Sequence, residues 1–258
     1  MIKMIKKITL TCFLLSSLFI TAQETTDATP ETKSSSWNYL VQPYLMFPNM
    51  KGDTQIRENL PALSVDANTS DIFSNLKMGA MLYLEARNKD WAITSDFVYM
   101  KLGQDVSPDK VVQNASLDVT ETIWELAGFR RVIPMLEAGV GLRLVSIGAE
   151  ANINMITGTN HNPNITETWV DPIIIVRSNH IIKDKFIANL RADIGGFGIG
   201  SELTWQVQAE AGYMFSDLFS LSLGYRYISI DYETGSGQDY FAYDIGTFGP
   251  ELRLGFSF

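Results

Sequence analysis

One cysteine and two histidines among 258 residues leave little material for several kinds of chemistry. The cysteine, Cys12, falls within an apolar run near the N terminus, so nothing beyond residue 22 can form a disulfide or a thiolate metal site. It follows Thr11 in mid-run rather than closing the run after a small residue, which argues against a lipidated N terminus. Basic charge is also short, with 20 Lys and Arg against 29 Asp and Glu and a net charge of −9. Neutralising nucleic-acid phosphates takes clustered Lys and Arg, so a nucleic-acid partner is not expected. Past residue 22 there is no stretch of about 18 consecutive apolar residues, which removes a helical membrane span.

Three lysines, Lys3, Lys6 and Lys7, precede the apolar run Ile8 to Ile20, and the small residue Ala22 precedes Gln23. This is the pattern of a secretory signal peptide over residues 1–22. The run is shorter than the roughly 20 residues a spanning helix needs. Residues 23–36 are polar, contain Pro30 and carry no aromatic or large aliphatic side chain, which predicts a disordered leader.

From Trp37 onward the dominant signal is alternation with a period of two. Met78, Ala80, Leu82, Leu84 and Ala86 oppose Lys77, Gly79, Tyr83, Glu85 and Arg87. Leu136, Ala138, Val140, Leu142 and Leu144 oppose Glu137, Gly139, Gly141 and Arg143, and the same contrast recurs at 186–194, 203–213 and 219–228. Such segments are strands with one apolar and one polar face. They exceed the usual soluble strand of about 5–6 residues and match the roughly 9–11 that cross a bilayer at a tilt. Short joints near 88–90, 131–134, 179–184 and 216–217 alternate with longer ones at 104–112, 152–164, 195–201 and 233–239, as the two ends of an outer-membrane barrel do.

The expected fold is all-β: a closed antiparallel up-and-down transmembrane barrel over residues 37–258, with about ten strands, eight and twelve also fitting. The strands fall near 37–47, 76–88, 91–103, 115–128, 134–150, 165–178, 185–195, 202–214, 219–232 and 240–258. Residues 48–75 fit a long external loop with a helical turn near 70–76, a segment folded into the lumen, or another strand pair. The last strand alternates Leu252, Leu254, Phe256 and Phe258 with Glu251, Arg253, Gly255 and Ser257. It is similar to the terminal strand that barrel-assembly machinery reads, which makes that machinery and outer-membrane lipids the expected partners.

Several strings carry a wider resemblance: Pro43-Tyr44-Leu45, Leu84-Glu85-Ala86-Arg87, Trp169-Val170-Asp171-Pro172, Asp193 through Ser201, Gly224-Tyr225-Arg226 and Gly249-Pro250. In these the chain resembles a family of bacterial outer-membrane β-barrel proteins, the small OmpA/OmpW-like porin-type barrels. The resemblance implies fold and location in the cell outer membrane. It implies no activity, so no catalytic residue is carried over.

Function in such a barrel would sit on the polar face. The lumen-lining candidates are Glu85, Arg87, Glu137, Arg143, Trp169, Asp171, Arg177, Arg191, Asp193, Glu210 and Arg226. Further inward acids are expected at Asp96, Glu121, Glu125, Glu167, Asp244 and Glu251, and an inward base at Arg253. Arginine in place of lysine suits planar pairing with carboxylates in a confined space. Two readings follow: an ion-pair lattice that fills the barrel, or a narrow conduit or cavity for a small polar or cationic solute. Trp169 shares a face with Glu167 and Asp171 and is the one aromatic read as a ligand contact. Trp37, Trp91, Tyr99, Tyr213, Phe219, Tyr240, Phe256 and Phe258 are read as interfacial girdles.

An enzyme is the alternative, a hydrolase or acyl-modifying barrel with a site at the outer rim. General-base chemistry of that kind turns on a histidine. His161 is placed in a long loop and His180 in a short turn, and neither sits beside a serine on the lumen face. No catalytic residue, metal site or cofactor is therefore assigned. Gly195 to Ser201 has a glycine rhythm but no following lysine and no βαβ context, so it reads as a bend at the barrel rim rather than a phosphate loop. A soluble lipocalin-like binder would need the faces reversed, with apolar residues inside.

Overall fold

The computed structural model describes residues 36–106, 112–155 and 160–258. The signal-peptide and Cys12 readings, nearly all of the leader, and loop residues 107–111 and 156–159 lie outside the described residues. The strands in chain order are β1 (Asn38–Met46), β2 (Asn49–Ile56), β3 (Leu63–Ala67), β4 (Leu76–Arg87), β5 (Trp91–Val106), β6 (Val112–Ile133) and β7 (Leu136–Met155). They continue as β8 (Asn160–His161), β9 (Asn164–Ile182), β10 (Phe186–Gly196), β11 (Leu203–Met214), β12 (Phe219–Thr234) and β13 (Phe241–Ser257). One short helix, α1 (Thr69–Ser74), precedes β4.

Ten of these strands form the barrel, each antiparallel to its neighbours in the order β1-β4-β5-β6-β7-β9-β10-β11-β12-β13, and β1 pairs with β13 to close it. At the seam Leu40 faces Ser257 and Met46 faces Glu251, and Tyr39 and Phe258 exchange both backbone hydrogen bonds. Phe258 is thus part of the closure. The expected strands are all present within a few residues, and several run further outward than the sequence suggested.

Segment 48–75 resolves as the strand pair. Pro48 has no N–H and interrupts the ladder after Met46, but β2 resumes in the same register on β13, from Asn49↔Phe248 to Phe241↔Ile56. β3 folds back on β2. Asn68 then caps α1, accepting from the Asp71 N–H while the Asp71 carboxylate accepts from the Asn68 N–H. At the opposite end the joints are tight. Lys183 and Asp184 both take positive φ, 52° and 59°, as a two-residue hairpin turn twisted to match its strands demands.

The barrel wall changes character along its height while its geometry does not. In the lower part even residues of β7 and odd residues of β12 point out and are apolar: Val140 is 66% exposed and Leu223 65%. The stretch Leu136 to Leu144 runs about 27 Å at roughly 3.4 Å per residue. A tilt of about 40° turns that into a band some 20 Å tall, close to the apolar belt of about 25 Å on outer-membrane barrels. Aromatic residues border it: Trp91, Phe186, Phe256 and Phe258 at the short-turn end, and the outward stack Trp205–Tyr227–Phe248 above.

Above that stack the faces exchange polarity. Outward positions become Ser229, Asp231 and Glu233 on β12 and Ser146 and Glu150 on β7. Inward ones become apolar, with Val145, Trp169, Ile228, Ile230, Tyr232, Phe241, Tyr243 and Ile245 forming a buried cluster. Met50, Val65, Ile123, Ile147 and Ile165 pack against it. Burying such side chains away from water is the main favourable term for this part. The barrel therefore carries a water-facing extension with its own apolar core, set on a membrane belt whose interior is charged. This overturns one inward assignment: Asp244 is exposed on the outer surface, because its parity holds while the polarity of that face flips. Tyr240 is likewise no girdle residue, since it lies in the far loop beside Gly237–Asp239.

Candidate functional site

Odd residues of β4, β6, β7, β9, β10 and β13 and even residues of β5, β11 and β12 project into the barrel, and below the apolar core most of them are charged. Seven arginines and six carboxylates pair there, with Arg131 reaching Glu137 at 3.6 Å. Arg177 donates to Glu85 at 2.8 Å and to Glu137 at 2.7 Å, and Arg87 donates to Glu137 at 3.0 Å and pairs with Glu85. Arg143, fully buried, donates to Glu125 at 3.0 Å, Asp193 at 2.7 Å and Thr204 at 2.9 Å. Arg191 binds the same two carboxylates at 2.6 and 2.8 Å. Across the lumen Arg226 meets Asp96 and Glu251, both at 2.8 Å, and Arg253 meets Glu251 at 2.9 Å.

Neutral groups complete the lattice. The Tyr44 hydroxyl donates to Asp96 at 2.7 Å, the Tyr83 hydroxyl donates to Glu85 at 2.6 Å, and Gln208 donates to Glu251 at 2.9 Å. The guanidinium of Arg177 lies over Phe129 at 3.9 Å and that of Arg253 over Tyr44 at 4.1 Å. A buried ion costs several kcal/mol of lost hydration unless its partners replace the water. The shared, multidentate pairing does so, because each planar guanidinium engages two acceptors or an aromatic face. Sequence reasoning missed Tyr44, Tyr83 and Gln42 as members. Only strand parity could have placed them, since they carry no charge.

Of the lumen-lining candidates, Glu85, Arg87, Glu137, Arg143, Arg177, Arg191, Asp193 and Arg226 come together in this lattice. Asp171 points inward but belongs to a different unit. Its carboxylate accepts from the backbone N–H and the hydroxyl of Ser201 at 2.6 and 2.8 Å, which pins the β10–β11 loop. That loop is the bend expected from its glycines: Gly196, Phe197 and Gly198 take φ of 84°, 54° and 69° in succession. Trp169 is inward and 5% exposed, its indole N–H donates to Ser201 at 2.9 Å, and its ring is covered by Tyr232. It is a core residue, and the reading of it as a ligand contact is corrected on that ground.

His180 also differs from expectation. It lies within β9 rather than in a turn, and its Nε2 is 2.6 Å from the Ser178 hydroxyl on the same strand. Val176 and Ile174, of the same parity, face the membrane side. His161 lies on β8, and its side chain is outside the described residues.

One inward carboxylate of the lower lumen stands apart. Glu210 has no arginine partner; its Oε2 accepts from Asn189 at 3.4 Å, and its Oε1 is buried without a hydrogen bond. It lines a cavity of about 420 Å³ at the short-turn end, together with Gln42, Tyr83, Asn179, Asn189, Gln208, Ser220 and Arg253. Above this cavity lie the lattice and then the apolar core.

Compared by sequence, the chain matches no protein-family model and no curated protein. Its fold is similar to solved outer-membrane proteins. They include Ail, the attachment invasion locus protein of Yersinia pestis, at 12% identity and a TM-score of 0.37, over 86% of this chain and 98% of that one. They also include the outer membrane protease OmpT from Escherichia coli, at 9% identity and a TM-score of 0.48, over 87% and 98%. Neisserial surface protein A is a third, at 10% identity and a TM-score of 0.30, over 84% and 96%. The closed antiparallel barrel stands on its own strand pairing, and its outward apolar belt is of the kind that faces lipid in outer-membrane barrels.

Proposed function

We propose that this barrel does not conduct and is not an enzyme: it is a structural outer-membrane barrel that holds a binding cavity for a small polar or cationic solute. The observation that carries the reading is the lattice itself. Arginine–carboxylate pairs bridge the lumen from wall to wall at the height of the apolar belt, beneath a buried apolar core. The cavity opens where the short turns gather, the periplasmic end in outer-membrane barrels.

A hydrolase reading finds less support. Ser178 and His180 are hydrogen-bonded, but among the described residues no carboxylate orients the imidazole. The strand ending at Phe258 would be the segment offered to the assembly machinery, consistent with its place at the closing seam.

The test is conductance in planar bilayers with the refolded full chain. The expected result is no steps above leak for the wild type, and steps only after the lattice is breached, as in Arg143→Ala combined with Trp169→Ala. Stable ohmic steps from the wild-type barrel would overturn the closed reading.

A further inference from the structure

In the lower lumen Arg87, Arg131, Arg143, Arg177, Arg191, Arg226 and Arg253 pair with Glu85, Asp96, Glu125, Glu137, Asp193 and Glu251, and Glu210 is the inward carboxylate with no arginine partner. Facing it across the β11–β12 ladder is Gly224, which presents no side chain to the lumen, and beyond Gly224 stands Glu251. Arg253, only 2% exposed, lines the same cavity and spends its Nε on Glu251 and its Nη1 on Gln42, while its Nη2 is buried without a hydrogen bond.

A carboxylate oxygen and a guanidinium nitrogen, both buried without a hydrogen bond on residues lining one cavity, are costly unless something satisfies both. We infer that the cavity binds a small organic ammonium compound that also carries an acceptor oxygen, the ammonium at Glu210 and the acceptor at Arg253. Binding gives Glu210 a counter-charge and satisfies both hydrogen-bonding positions together, with the charge-assisted bonds that are the stronger kind. The space of about 420 Å³ is of the size that small-molecule pockets have. The inference rests on the binding reading above and names the site and the chemistry of its occupant.

The experiment is titration calorimetry on the full-chain barrel in detergent with three probes: 5-aminopentanoate, which carries both groups, pentylamine, which carries the cation alone, and pentanoate, which carries the anion alone. The expected order is 5-aminopentanoate tightest. Glu210→Gln should weaken 5-aminopentanoate about tenfold or more, abolish the pentylamine signal and spare pentanoate, and Glu210→Asp should recover part of the loss. A heat-modifiable gel shift in each variant shows that it has folded. Equal responses of wild type and Glu210→Gln overturn the inference, as does the absence of binding by every probe. Open-channel steps from the same preparations would instead overturn the closed-barrel reading without touching the probe result.

Discussion

Trp169 on β9 and Tyr232 on β12 stack face to face, with ring centroids 3.8 Å apart and planes within 2°. Their strands are not neighbours: β10 and β11 lie between them but stop short, since β10 makes its last pair with β9 at Gly195↔Ile173. The two rings close the gap that the short hairpin leaves in the upper wall. Trp169→Ala should cost about 3–5 kcal/mol, in the range of other large aromatic truncations, read as a lower urea midpoint of the folded form. Tyr232→Phe should be silent, because the ring and not the hydroxyl makes the contact. Loss of stability in Tyr232→Phe as large as in Trp169→Ala would refute this account.

Arg143 is the arginine with least contact with solvent, and it holds Glu125, Asp193 and Thr204 together. Arg143→Ala leaves two buried carboxylates sharing Arg191 alone, a loss of about 3–5 kcal/mol by analogy with other broken buried pairs. Removing a carboxylate as well, in Arg143→Ala with Asp193→Ala, should recover part of it. Additive losses in the double variant would show that the two groups are not coupled.

Within the loop after β10 the two positive-φ glycines are not equivalent. A Cβ on Gly196 would come within 2.5 Å of the Ser201 carbonyl oxygen, whereas one on Gly198 meets only the Glu202 carboxylate, at 3.9 Å. Gly196→Ala should therefore combine strain and clash, about 1–3 kcal/mol, and release Ser201 from Asp171. Gly198→Ala should show the smaller conformational cost alone. The readout is the denaturation midpoint of each variant, and equal midpoints would refute the distinction.

On the outer surface of the extension Asp231 lies directly opposite Asp244 across the β12–β13 ladder. Partial burial, with Asp244, Glu202 and Glu233 nearby, raises its pKa above the ordinary 3.8. The folded form thus binds the proton more tightly than the unfolded one. Stability from this group is full below 3.8 and declines as pH rises through the raised value. Asp231→Asn should be the more stable form at neutral pH and lose its advantage in acid. An advantage that persists below pH 3.8 would point to a cause other than charge.

Much of this was written in the sequence, and its failures share one cause. Strand parity is a local property: a strand's side chains alternate whatever surrounds it, so inward residues such as Arg143, Arg191 and Arg226 could be named from alternation and stand where expected. The polarity of a face depends on height. On β13 odd positions point inward throughout, yet they are charged at Glu251 and Arg253 and apolar at Phe241, Tyr243 and Ile245. Equating polar with inward placed Asp244 in the lumen, and the same equation made Trp169 a ligand contact. The clue was present at Tyr227-Ile228, where the polar residues of β12 change parity from Arg226 to Ser229, Asp231 and Glu233.

By itself the sequence determined a closed antiparallel barrel with an arginine-rich interior, because alternation, strand length and turn spacing are set by neighbours along the chain. Which arginine meets which carboxylate was decided only by the tertiary structure, since those partners stand up to 130 residues apart, as Arg226 and Asp96 do. The same holds for the one carboxylate left over. Glu210 is unlike its fellows for no reason visible in its own strand; it has no arginine partner because the closing of ten strands brings the inward arginines within reach of six other acids and leaves a cavity beside it.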